Sequence, residues 1–168
     1  ICSGERRGES TGRSKYNEME IYFRANAEKK LKRTVHQWRP VIDYSEKDVW
    51  VVMKRNKVNP HPCYRAGWNR CSCAGCIFST PELFAGFKEL YPQEFEEMKH
   101  DEKALGFTLD NKCDLETYIE GAKPCLYKGD KEAIHSLITG IFTESQIFID
   151  GQWKYPAGAF PGAEGGRC

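Results

Sequence analysis

The sequence predicts an α/β fold, in which the end of a sheet domain is followed by a mainly helical, cysteine-rich region. Two observations support this. The chain opens with a short apolar segment, a glycine-rich polar loop and a stretch long enough for a helix, the order typical of an α/β sheet. Four of its eight cysteines then fall between positions 63 and 76, ahead of several helix-start signals. At 168 residues and 40% hydrophobic composition, the chain can form a buried core.

Residues 1–58 are predicted to be the C-terminal part of the α/β domain. Residues 1–4 are consistent with the end of a strand, and Lys15–Lys32 is predicted to be a helix. Thr34–Val41 favours a strand that leads into a turn. Ser45 has the position of an N-cap before an acidic first turn, so a second helix is expected to run to about residue 56.

The rest of the chain is predicted to form three further segments. Residues 59–79 form a cysteine-rich loop that begins with a non-helical Asn-Pro-His-Pro sequence. Residues 80–155 are predicted to be helical, with breaks at Tyr91-Pro92 and Gly106 and a terminal hairpin turning at Asp150-Gly151. Residues 156–168, rich in Gly, Pro and Ala, are expected to be a loose tail.

Composition and charge restrict the function classes. No apolar run approaches the roughly 20 residues of a membrane helix, and no signal peptide is visible, so a cytoplasmic protein is expected. The net charge is +1, but residues 1–40 hold ten Lys or Arg against five Glu, which favours an anionic ligand near the start of the chain. The first residue is not Met, so a missing N-terminal half or partner chain is expected.

The opening loop contains the residue types that bind phosphate or sulfate. Its candidate binding residues are Arg6, Arg7, Glu9, Ser10 and Arg13. Arginine presents a planar fork to oxyanions, and glycine lets the backbone approach a ligand closely. A helix N-terminus after the loop would add partial positive charge. The glutamate can orient an arginine or contact a ribose hydroxyl. The alternative is a solvated surface turn with an Arg–Glu pair.

The cysteine spacing predicts a metal centre. The candidate ligands are Cys63, Cys71, Cys73 and Cys76, in a Cys-x7-Cys-x-Cys-x2-Cys pattern. Four thiolates suit either zinc or an iron–sulfur cluster, and the spacing alone does not separate the two. Cys125 is an alternative to Cys71, and buried free thiols are the non-metal alternative. His61 and Arg70 are expected to act on the centre through outer-shell hydrogen bonds; the alternative for His61, which lies between two prolines, is that it simply caps the turn.

Several blocks of sequence occur in the order seen in one known family. The Arg-Arg-x-Glu-Ser-x-x-Arg segment of the opening loop is followed by Trp38–Trp50, Asn59–Tyr64 and the cysteine run Gly67–Phe78. Together they resemble the phosphoadenosine phosphosulfate reductase family, in its phage and bacterial cysteine-rich branch. The resemblance implies an adenine nucleotide alpha-hydrolase-like (Rossmann-like) fold and makes residues 1–58 part of a nucleotide-binding domain.

The resemblance also implies an activity and its partners. Family members reduce adenylyl sulfates or use ATP in sulfur transfer, so adenylyl sulfate or ATP is the expected ligand, with a redox or sulfur-donor protein as partner. A 4Fe-4S cluster is implied, with zinc as the alternative. The family's upstream phosphate loop and its C-terminal Glu-Cys-Gly-x-His motif are not found in these residues. No catalytic residue is therefore predicted, and the alternative function is a non-catalytic, metal-stabilised binding module for nucleotide, protein or nucleic acid.

Overall fold

A computed structural model describes residues 1–27, 29 and 31–160. The chain divides into two compact units, Ile1–Val52 and Met53–Cys168. The described residues are rich in helix and contain one two-stranded sheet. No helix among them is both long and apolar enough to cross a bilayer.

The first unit is built on a short antiparallel sheet. Strand β1 (Met19–Ile21) pairs with strand β2 (His36–Trp38). Cys2 adds an isolated parallel bridge to Trp38. The strand predicted over 34–41 is therefore confirmed at its centre, and the first residues of the chain do extend the sheet.

The helix predicted over 15–32 is wrong. A 3-10 helix (Arg13–Lys15) ends at the first residue of that range, and strand β1 lies inside it. A tertiary contact explains the difference, because Glu20 in β1 forms an ion pair of 2.8 Å with Arg39, which is only 3% exposed. A strand places the Glu20 side chain toward this buried cation, and that interaction outweighs local helix propensity.

Arg39 joins three parts of the first unit. Its Nε donates to Glu5 Oε2 at 2.6 Å, its two other nitrogens reach the Asn17 carbonyl and Glu20, and its guanidinium lies 4.5 Å from the Tyr16 ring centroid. The hydrogen bond from Arg39 lowers the pKa of Glu5. A buried cation paired with two carboxylates is costly to disrupt, so this network fixes the start of the chain against both strands.

The helices begin and end largely where local signals predict. Their ranges are α1 Glu46–Arg55, α2 Pro62–Arg65, α3 Pro81–Leu90, α4 Pro92–Leu105, α5 Leu115–Tyr118 and α6 Lys131–Thr139. Ser45 and Asp48 cap α1 reciprocally, and the Thr80 hydroxyl accepts from the Leu83 amide at the start of α3. Gly106, in the left-handed conformation, ends α4.

The second unit has an aromatic core. Phe84, Phe87 and Phe95 are buried, and Phe87 contacts Phe84 edge-on and Phe95 at a tilted angle. Cys63, Trp68, Leu83, Leu115 and Cys125 belong to the same buried cluster. Cys63 and the neighbouring Trp68 therefore attach the cysteine-rich loop directly to the core.

Two features of the C-terminal part differ from the sequence prediction. The hairpin at Asp150-Gly151 does not form, because Phe148 instead bridges to Val58 and Trp153 Nε1 donates to the Val58 carbonyl at 2.8 Å. Residues 156–159 are buried, in contrast to the loose tail expected from position 156. An added Cβ on Gly158 would lie 2.0 Å from the Trp68 carbonyl oxygen. The remaining positions of the expected tail, 161–168, lie outside the described residues.

Candidate functional sites

The arginine turn (residues 4–13) lies between the first bridge residues and the short 3-10 helix Arg13–Lys15. A 3-10 helix at Arg7–Glu9 folds the turn back on itself. The Arg7 amide donates to the Ile42 carbonyl at 2.8 Å, which fastens the turn to the segment after β2. The Ser10 hydroxyl accepts from the Arg13 amide at 3.2 Å. The five candidate binding residues therefore lie in one compact turn.

Each of the three arginines already forms an ion pair with a carboxylate of the same chain. Glu9 contacts Arg6 at 3.4 Å and Arg13 at 2.8 Å, while Arg7 pairs with Asp43. Within these pairs, three arginines against two carboxylates leave one positive charge, and Glu5, which also lies in the turn, pairs with Arg39 instead. The predicted role of Glu9 in orienting an arginine agrees with these contacts. The side chains of the three arginines remain 20–43% exposed, so their outer faces are open to an anion.

Neither packing nor backbone conformation requires glycine at positions 4 and 8 of the turn. An added Cβ on Gly4 or Gly8 meets nothing within 4 Å, and neither residue has a positive φ. Space beside the backbone is therefore available to a ligand. The expected helix N-terminus is not found among the described residues after the turn, where the three-residue 3-10 helix is too short for a substantial dipole. The positive charge available to an anion in the turn is therefore that of the arginine side chains.

A cavity of about 360 Å³ lies in the same unit, next to the Arg39 network. It is lined by Tyr16, Glu20, Phe23, Arg24 and Arg39 among others. Its volume lies within the range of small-ligand pockets. Tyr16 links it to the arginine turn, since the Tyr16 carbonyl accepts a hydrogen bond from Arg7 at 2.9 Å. The cavity offers aromatic and carboxylate groups close to the exposed cations.

The cysteine loop (residues 59–79) begins with a rigid entry. His61 is the N-cap of α2, Pro62 occupies the first helical position, and Cys63 is buried at 3% exposure. The Cys63 carbonyl accepts from the Trp68 amide at 2.9 Å. Proline at the start of a helix fixes the backbone at little entropic cost. The first thiol of the loop therefore has a well-defined position.

The structure brings together two of the four predicted ligands and adds a histidine. Ligand atoms of His61, Cys63 and Cys71 all lie within 4.8 Å of one another. His61 Nδ1 is 3.1 Å from Cys63 Sγ and accepts from the Cys63 amide at 3.2 Å. Cys73 and Cys76 are not part of this group of ligand atoms. From the sequence, His61 is predicted to have an outer-shell role. The sequence feature that indicates its closeness to the Cys63 thiol is its position two residues before Cys63, between two prolines.

The thiols of the loop differ in acidity. Burial, with the neighbouring Cys71 as second cause, raises the pKa of Cys63. Burial also lowers the pKa of His61, which favours its neutral form. Hydrogen bonding from the Phe78 amide, helped by Ser72 and Arg70, lowers the pKa of Cys76. Two adjacent thiols of which one is buried do not readily carry two negative charges unless a cation is present.

The far end of the loop is also attached to the core. An added Cβ on Gly75 would lie 2.8 Å from Met98 Sδ. Arg70 donates to the Phe78 carbonyl at 3.3 Å, and the Tyr118 hydroxyl donates to the Ser79 carbonyl at 3.0 Å. Cys73 is exposed and Cys76 half-buried. Cys125, the predicted alternative to Cys71, is fully buried in the core cluster and disulfide-bonded, so it does not have a thiol to offer a metal.

Comparison with known proteins agrees with the resemblance seen in the sequence. Residues 1–80 match the family model of the phosphoadenosine phosphosulfate reductase domain, so the predicted resemblance is confirmed over that range. Sixty residues are 30% identical to an uncharacterized 37.8 kDa protein of Escherichia phage 186. That alignment covers 36% of this chain and 18% of the phage protein. No solved structure matches the chain.

Proposed function

We propose that this protein carries out adenine-nucleotide-dependent sulfur chemistry of the phosphoadenosine phosphosulfate reductase type, either adenylyl sulfate reduction or ATP-dependent sulfur transfer. The supporting observation is that the family match over residues 1–80 contains both the arginine turn and the cysteine loop. Within the proposal, residues 1–58 are the C-terminal part of an adenine nucleotide alpha-hydrolase-like domain, and residues 59–79 carry a metal centre.

The arginine turn is the proposed site for phosphate or sulfate oxygens. Arg6 and Arg13 share Glu9, so an incoming oxyanion competes with one carboxylate for two guanidinium groups. A phosphate or sulfate offers more oxygens and more charge than that carboxylate, and it can accept from both arginines at once. Arg7 and the Ser10 hydroxyl lie in the same turn as further donors. Glu9, once released, is free to accept from a ribose hydroxyl.

The neighbouring cavity is the proposed site for the rest of the nucleotide. It adjoins the turn through Tyr16 and has aromatic walls at Tyr22 and Phe23, which suit a flat base. Glu20 is 37% exposed and only partly used by Arg39, so it can accept a hydrogen bond from a ligand. The base and sugar would then be recognised by contacts separate from those that hold the oxyanion.

The cysteine loop is the proposed metal centre, with Cys63, Cys71, Cys73 and Cys76 as candidate ligands. The group of His61, Cys63 and Cys71 supports metal binding, because donor atoms this close together are suited to a shared cation. The resemblance implies a 4Fe-4S cluster, and zinc is the alternative. Such a centre would supply electron transfer as a cluster, or local structure as zinc. A redox or sulfur-donor protein is the proposed partner.

Nucleotide binding is the direct test of this proposal. Calorimetry with adenylyl sulfate, its 3′-phosphorylated form and ATP should detect binding, both for this chain and for any longer chain that the gene encodes. Arg6→Ala combined with Arg13→Ala should weaken binding about tenfold or more, since each charge-assisted bond contributes roughly 1.5–3 kcal/mol. Arg55→Ala, which alters an exposed arginine of α1, is the matched control.

The outcomes separate the two candidate functions. Binding that depends on Arg6 and Arg13 but not on Arg55 supports the nucleotide site. A protein that binds metal but none of the three nucleotides would contradict the enzyme proposal and favour the non-catalytic, metal-stabilised binding module. That alternative has one observation in its favour, which is that all three arginines are already paired with carboxylates of the chain.

A further inference from the structure

We propose that His61 is a direct ligand of the metal, together with Cys63 and Cys71, so that the centre holds a single ion in a mixed nitrogen–sulfur shell. This inference rests on the proposed metal centre in the cysteine loop and goes beyond it in naming a ligand, a ligand chemistry and an ion class. It departs from a shell of four thiolates.

The geometry of the three donors carries the inference. Their ligand atoms lie within 4.8 Å of one another, and His61 Nδ1 lies 3.1 Å from Cys63 Sγ. A tetrahedral zinc ion with Zn–S bonds of about 2.3 Å holds its sulfur ligands about 3.8 Å apart. Small rotations of these side chains would therefore bring all three donors to one ion. In a cubane cluster each cysteine binds a different iron atom, which requires wider spacing than this group shows.

His61 is held next to the Cys63 thiol. The Cys63 amide donates to Nδ1 at 3.2 Å, which places the ring proton on Nε2, and Cys63 Sγ lies 3.1 Å from the same nitrogen, so a metal bound through Nδ1 would replace the amide hydrogen bond. The residue lies between Pro60 and Pro62, at the N-cap of α2. Its ring packs against Phe142, with centroids 5.9 Å apart. Both the backbone and the ring are thus held with Nδ1 close to Cys63 Sγ.

The three donors differ in burial, with one fixed in the core and two at the surface. Cys63 is buried in the core, while His61 and Cys71 are exposed. An ion can therefore enter from solvent and bind against a fixed inner thiol. The fourth position of a tetrahedral ion is left to Cys73, Cys76 or water. Either case retains one nitrogen in the shell, which is the property that distinguishes this proposal from four-cysteine coordination.

The experiment measures both the affinity for zinc and the atoms that coordinate the bound zinc. Anaerobically reduced, metal-free protein is titrated with Zn²⁺ in competition with a chromophoric chelator, and the zinc-loaded protein is measured by X-ray absorption at the zinc edge. The expected shell contains one nitrogen at about 2.0–2.1 Å and two or three sulfurs at about 2.3 Å. Reconstitution with iron and sulfide, followed by absorption spectroscopy, tests separately for a cluster.

Three variants separate a ligand from an outer-shell residue. His61→Ala should weaken zinc binding by more than about 100-fold, since loss of an outer-shell partner costs roughly 10–100-fold. His61→Cys should restore most of the affinity and replace the nitrogen in the shell with a third or fourth sulfur. His100→Ala, at a histidine that is 82% exposed in α4, should change neither affinity nor shell.

Each outcome bears on one proposal or the other. An all-sulfur shell in the unaltered protein, a smaller affinity loss in His61→Ala, or iron–iron scattering from a stable 4Fe-4S cluster would overturn the role of His61 and leave the proposed metal centre intact. Failure to bind either zinc or a cluster would overturn the metal centre itself. Neither result bears on nucleotide binding at the arginine turn, which is measured independently.

Discussion

The arginine turn and the cysteine loop present opposite electrostatic situations. In the turn, Glu9 and Asp43 already balance two of the three arginine charges. In the loop, the clustered donors are two thiols and a neutral imidazole, and ionising the thiols would place two negative charges next to each other. We therefore expect the turn to fold without a ligand and the loop to reach its most stable form only when a cation binds.

The two sites also differ in how tightly they are packed. Gly4 and Gly8 of the turn have open space where a Cβ would be, whereas Gly75 and Gly158 contact the core around the loop. The turn has room for a ligand beside its backbone. The loop has a rigid inner side and an exposed outer side. We therefore expect substitutions in the loop to change stability and substitutions in the turn to change affinity.

The largest effect is expected for Cys63→Ser. This thiol is 3% exposed and belongs to both the core and the donor group. The variant should lose its metal, and with it the stabilisation that a bound ion gives, about 2.7 kcal/mol at 100 times Kd. Chelator should lower the melting temperature of the unaltered protein but not of this variant.

Cys113→Ser is the matched control for that substitution. Cys113 is a half-buried free thiol in the same unit, outside the donor group. Its replacement should leave metal content and chelator response unchanged. If Cys63→Ser keeps a full complement of metal, or if both variants lose it equally, the cation dependence assigned to the loop is wrong.

A pair of glycine substitutions tests the packing difference. Gly158→Ala should lower the free energy of unfolding by about 1–3 kcal/mol or more, because the new methyl group would overlap the Trp68 carbonyl, which is backbone and cannot rotate away. Gly8→Ala adds the same group where nothing lies within 4 Å, so stability should be nearly unchanged while nucleotide affinity falls. Chemical denaturation and calorimetry measure the two quantities. Equal losses of stability would remove the distinction between the sites.

Local signals account for the parts of the fold that the sequence predicts well. Thr80 with Pro81 marks the start of α3, and Gly106 marks the end of α4, because caps and turn residues act within a few positions. The family resemblance over residues 1–80 was likewise readable, since it depends on the order of sequence blocks.

Contacts between distant residues account for what the sequence did not predict. Strand β1 depends on the ion pair of Glu20 with Arg39, and the missing hairpin depends on the pairing of Phe148 with Val58. The position of His61 in the donor group depends on the direction of Nδ1, which is set by its place at the N-cap of α2. Spacing identifies cysteines as candidate ligands, but it does not report which way a nearby ring points.

Acid should destabilise the first unit through Glu5. The hydrogen bond from Arg39 lowers the pKa of Glu5 from its ordinary 4.5. A lowered carboxyl pKa gives stability that is fully present above pH 4.5 and is lost as the pH falls through the folded-state pKa. Metal-free protein should therefore still lose stability below pH 4.5, and Glu5→Gln should weaken that dependence. An unchanged acid profile in Glu5→Gln would mean that other carboxylates dominate the response.

A small effect on stability, and the most direct test of charge balance in the turn, is expected for Glu9→Gln. The substitution removes the carboxylate shared by Arg6 and Arg13 and keeps its size. Because these pairs are partly exposed, the free energy of unfolding should change by less than about 1 kcal/mol. Inorganic sulfate and phosphate should bind several-fold more tightly, since two guanidinium groups are released.

Adenine nucleotides respond differently if Glu9 accepts from a ribose hydroxyl, in which case their affinity should rise less than that of the inorganic anions or fall. Calorimetry with both ligand classes, and with Glu46→Gln at an exposed glutamate of α1 as the control, separates these roles. Unchanged affinity for the inorganic anions would show that Glu9 does not compete for the arginines. That result would contradict the proposal that the turn binds anions.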